Sequence, residues 1–128
     1  MRFLPLFFLC AVLTVSCGGE PEEPEAPPAD ALEGFGAALC RAASIAPDDP
    51  REAEAIFTDE LHAPLHQLAG DIGDVSTSLA ADLLEAKQAV EAAEGTPQIE
   101  LPVLWADLVD ASAAALERLD VARPPCAE

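Results

Sequence analysis

From Asp30 to Arg123 the apolar residues return every three or four positions, and no run of β-branched residues interrupts them. That spacing marks one face of an α-helix, whereas a half-buried strand alternates at every second residue. Leu32, Phe35, Leu39, Ala42 and Ile45 form the first stripe. Asp30 stands at its head with Glu33 three places on, the pattern of a capping box, and the segment ends before Pro47. The second start is the clearest: Asp49 as cap, Pro50 in the first turn, Glu52 at the third helical position. Ile56, Leu61, Leu65, Leu68 and Ile72 continue its stripe with Phe57 beside it, and Pro64 predicts a kink or restart.

The third stripe is Val75, Leu79, Leu83, Ala86 and Val90, ending at Gly95. Gly70-Asp71-Ile72-Gly73-Asp74 predicts a break ahead of it, although the phase also permits one long bent helix over residues 50–94. After Thr96-Pro97, Leu101-Pro102 opens the fourth segment. Its core face is Leu101, Leu104, Leu108, Ala115 and Leu119, widened by Trp105 and Leu116 and closed by Arg123-Pro124-Pro125. Residues 30–128 therefore predict an all-α fold, a small antiparallel bundle of three to four helices.

Residues 18–29 are different in kind. Four glutamates alternate with prolines and no apolar face exists, so a stiff, disordered tether is expected. In a polyproline-like state it would reach roughly 35–40 Å. Ahead of it, Met1-Arg2 gives a short basic start, and Phe3 to Val15 is an almost wholly apolar run of thirteen. The run is too short for a bilayer, which takes about 20 residues, and has the proportions of a secretory signal. Leu13-Thr14-Val15-Ser16-Cys17 closes it.

This ending resembles the lipobox of bacterial lipoproteins, with Thr14 where most lipoboxes carry leucine. The resemblance covers residues 1–17 only. It implies cleavage after residue 16, a lipid on Cys17, and a membrane as the first partner of the chain. An ordinary cleaved secretory signal is the competing reading. The tether favours the lipobox, because an anchored domain has a use for a spacer that a free one lacks. Gly18 is not the aspartate that retains lipoproteins at an inner membrane, so the implied site is the outer membrane of a diderm host or the plasma membrane of a monoderm.

The mature part keeps all 24 acidic residues and five of the six basic ones, a formal charge of −19. That field repels nucleic acid and anionic lipid surfaces and favours cationic partners. Lys87 is the only lysine, so no polybasic membrane patch exists. Cys10 leaves with the signal and Cys17 takes the lipid, which leaves Cys40 and Cys126. In an oxidising compartment the pair predicts a disulfide that brings the fourth helix beside the first. Neither cysteine has the close-spaced Cys or His partner of a zinc finger.

Asp59, His62 and His66 are the one constellation with site chemistry. The i, i+4 histidines, the only two in the chain, share a helical face that Asp59 joins. Two imidazoles and a carboxylate suit zinc, copper or non-haem iron. Against this, His62-Ala63-Pro64-Leu65-His66 lacks the glutamate of a metalloprotease helix, and both histidines border the apolar stripe, where a structural role is the commoner use. Trp105 reads as core, Ser76-Thr77-Ser78 as helix-start hydroxyls, and Asp107 with Asp110 as solvated surface.

No cofactor is expected, nor the constellation of an enzyme. The sequence predicts a lipid-anchored extracytoplasmic helical protein, a non-enzymatic interaction or envelope-structure module with an envelope protein as partner. The alternative is a periplasmic metal- or ligand-binding protein using Asp59, His62 and His66 with zinc or copper.

Overall fold

The computed structural model describes residues 29–93 and 100–127. Residues 1–28, with Cys17 and most of the expected tether, lie outside the described residues, as do Gly95, Thr96 and Pro97. The described chain is all-α, with four helical rods and no strand.

The first rod is α1 (Ala29–Ile45), which begins one residue before the expected cap, so Asp30 lies inside its first turn. The second rod joins α2 (Pro50–Ile56), a wide π turn (Phe57–Leu61) and α3 (His62–Gly73) without a gap. Its start is built as the sequence predicts. The Glu52 N–H donates to the Asp49 carboxylate at 3.0 Å, and Pro50 occupies the first turn, where no donor is lost.

Ahead of Pro64 the regular α-helix is interrupted by the π turn and resumes at His62. A proline in a helix cannot donate to the carbonyl four residues back and collides with it. Here the turn ahead is widened by one residue: the His62 N–H donates to the Phe57 carbonyl, five residues back. The extra residue also explains the stripe. The step of five from Ile56 to Leu61 would rotate out of phase on a regular α-helix, yet both are buried, because the π turn absorbs the excess.

α3 continues past Gly70 and ends at Gly73, so the break expected within residues 70–74 falls at the far end of that segment. A three-residue turn leads into α4 (Thr77–Ala93), which excludes the single bent helix. Val75, expected on the third stripe, lies in this turn and is 46% exposed. Ser76 caps α4 by accepting from the Leu79 N–H at 3.4 Å. A side chain added at Gly70 meets nothing within 4 Å. Gly70→Ala is therefore expected to raise stability by about 1 kcal/mol in urea unfolding. A loss would mean that the helix needs glycine there.

The fourth rod is α5 (Leu101–Arg118), with Pro102 in its first turn. It stops before the prolines that were expected to end it. The Val121 N–H donates to the Leu116 carbonyl and the Asp120 N–H to that of Glu117, a Schellman closure with Asp120 at φ 58°. Aspartate tolerates this left-handed position better than most residues. The remaining residues hook back across α1, where Pro124 and Pro125 lie over Gly36, and the Cys40–Cys126 disulfide fixes them with 5.6 Å between Cα atoms.

α3, α4 and α5 pack side by side, and α1 covers α2, the π turn and α5. The core between them contains Phe35, Leu39, Phe57, Leu65, Leu83 and Leu108, all at most 2% exposed. Trp105 is buried in it, as its spacing predicts, whereas Leu104 and Leu119 sit at the edge. Ser112 is fully buried in α5, and its hydroxyl has no hydrogen-bond partner among the described residues. A buried unpaired hydroxyl is costly, so Ser112→Ala is expected to stabilise by about 1 kcal/mol in the same unfolding measurement. Destabilisation would show that the hydroxyl is satisfied.

Candidate functional site

The π turn and the start of α3 aim Phe57, Leu61 and Leu65 into the core and leave His62 and His66 outside, with His62 facing the end of α4. The two imidazoles do come together: their ring centroids are 4.8 Å apart in an edge-to-face pair. Asp59 is exposed on the π turn. The carboxylate against His62 comes instead from α4, where Glu91 Oε1 lies 3.2 Å from His62 Nε2. Among the described residues no group of three His, Cys, Asp or Glu side chains is arranged to hold a metal ion.

Glu91 has a second partner. Lys87 Nζ donates to the same oxygen at 2.5 Å, one helical turn away. Lys87 is 3% exposed, which is rare for a lysine, and its amine lies 5.9 Å from the centre of the Phe57 ring. The Phe57 ring in turn meets Trp105 edge-on at 6.0 Å and His62 at 6.2 Å. One carboxylate, 31% exposed, thus joins a buried amine to a surface imidazole. The arrangement is a polar bridge that ties α4 to the beginning of α3, roofed by aromatic rings.

Sequence reasoning missed Lys87 and Glu91. The signal was present for the lysine: Leu83, Lys87 and Val90 follow steps of four and three, the phase of the buried face. No signal identified Glu91 as the partner of His62, since helical phase gives a face but not the element opposite.

The bridge can be taken apart in two steps. Glu91→Ala strands the Lys87 amine, at an expected cost of about 2–3 kcal/mol in thermal or urea unfolding. Adding Lys87→Met should recover most of that loss, because an apolar side chain of similar length suits the site. A double variant no better than Glu91→Ala would show that the amine is not what carries the cost.

The expected Cys40–Cys126 bond closes the bundle. Arg41 of α1 also pairs with Glu60 of the π turn at 2.6 Å on the surface, a contact the sequence did not point to. Comparison with family models, with curated proteins and with solved structures finds no match. No described helix is long and apolar enough to cross a membrane.

Proposed function

We propose that the chain is a lipid-anchored, extracytoplasmic helical module that binds another envelope component and catalyses no reaction. The observation that carries this reading is the Cys40–Cys126 disulfide, which ties the chain end to α1 across 86 residues. Such bonds form and persist outside reducing cytoplasm, and this supports the export that residues 1–17 imply. The Cys17 lipid holds the chain at the membrane, and residues 18–29 space the bundle from it.

Cell fractionation with mass spectrometry of the mature N-terminus tests the anchor. The expected product begins at a lipidated Cys17 and sediments with membranes, and Cys17→Ala releases it. An unmodified, soluble mature protein, or a Cys17→Ala variant that stays in membranes, overturns the reading.

A second reading, zinc or copper binding by Asp59, His62 and His66, is favoured by the 4.8 Å approach of the two imidazoles. Metal analysis of the purified chain with a His66→Ala control decides it. Binding that the control abolishes supports the site, and no uptake of zinc or copper removes it.

A further inference from the structure

We propose that the outer face of α5, with the groove between α4 and α5, docks a basic amphipathic helix of another envelope protein. This rests on the reading of the chain as an interaction module and adds the chemistry of the partner.

Part of this face, among its carboxylates, is apolar where a solvated helix would be polar. Val103 is 59% exposed, the most exposed large hydrophobic side chain among the described residues, with Pro102 and Ala106 open to solvent beside it. Val103, Ala106 and Asp110 follow one helical stripe, and Asp107 lies next to it. Towards α4 this face falls into a groove of about 430 Å³. Leu104 and the small side chains of Ala86 and Ala111 line its floor. Small floor residues let a second helix approach closely.

Charge selects the occupant. Asp82 and Glu85 stand on the α4 wall, Asp107 and Asp110 on the α5 wall, and no basic residue lines the groove. The walls suit a helix with an apolar strip and lysine or arginine on both flanks of it. Nucleic acid and anionic lipid, which would need positive walls, are repelled. Rim charges between exposed groups are individually weak, so the apolar strip sets position while the carboxylates set partner choice and salt dependence.

The test uses the full chain in detergent micelles and a fluorescent peptide of about five turns, leucine on one face with lysine on both flanks. Anisotropy should report saturable binding that weakens between roughly 0.05 M and 0.5 M salt. Val103→Ser, and separately Asp82→Asn, Glu85→Gln, Asp107→Asn and Asp110→Asn combined, should each lose about tenfold in affinity with unchanged helicity. Neutralising Asp48, Glu52, Glu54 and Asp74 together removes the same charge away from α4 and α5 and should cost less than about threefold.

Equal losses in the two charge variants overturn the proposal in favour of long-range attraction alone. Equal binding of a scrambled peptide, or displacement of the peptide by spermine at similar concentration, overturns it in favour of a simple polycation. Unchanged binding by Val103→Ser removes the docking face. The anchor is read separately by fractionation of Cys17→Ala, so either reading can fail without the other.

Discussion

Replacing Cys40 and Cys126 together with alanine is expected to lower the stability of the bundle by about 4–5 kcal/mol, the chain-entropy value for a loop of this length. The melting midpoint should fall by roughly 20–30 °C for a domain of this size. The loss has two parts. The unfolded chain regains the freedom that a bond across 86 residues had denied it. The folded chain loses the tie that holds the hook over Gly36 of α1. Circular dichroism melts of the wild-type chain with and without reductant, beside the double variant, measure the effect. A reduced wild-type protein that melts within about 3 °C of the oxidised one would show that helix packing alone holds α1 in place.

Phe57→Ala carries the second large effect, about 3–5 kcal/mol. The side chain is 1% exposed and stands where three groups meet: Trp105, His62 and the amine of Lys87. Truncation opens a cavity at the π turn and removes the ring beside a buried amine. Phe57→Leu keeps most of the volume and should cost about 1–1.5 kcal/mol. The chain has one tryptophan, so its emission reports the site directly. A red shift in Phe57→Ala, absent in Phe57→Leu, is the expected signature. A Phe57→Ala protein within about 1 kcal/mol of wild type would place this ring outside the packed core.

Much of the fold was legible because two of the helix starts carry their own chemistry. Asp49-Pro50 with Glu52, and Leu101-Pro102, mark the ends of two rods before any tertiary contact is known. The apolar stripes then locate the buried faces, and composition leaves Cys40 and Cys126 as the pair to be joined. The helix ends were harder. α5 stops at a left-handed Asp120, five residues ahead of Pro125, because a Schellman turn depends on a backbone torsion that aspartate permits without demanding. The break expected over residues 70–74 falls at Gly73 and Asp74 rather than at Gly70, where packing of α3 against α4 outweighs about 1 kcal/mol of propensity.

The candidate site was half legible. His62 and His66 were brought together as their spacing predicts, and Pro64 between them did not separate them. The step of five from Ile56 to Leu61 was the visible trace of the π turn. The carboxylate paired with His62 is Glu91, and its place was not legible for a definite reason. Asp59 is near in sequence, whereas Glu91 is near only after α4 folds back antiparallel to α3.

The enclosure of Lys87 gives the chain an unusual surface: with its one lysine 3% exposed, the described fold offers amine-directed reagents almost no side-chain target. An acylating reagent that modifies Lys87 must wait for the junction of α3 and α4 to open, so the rate of labelling becomes a clock for that opening. A single mass shift, followed in time, would then measure how often this part of the molecule breathes.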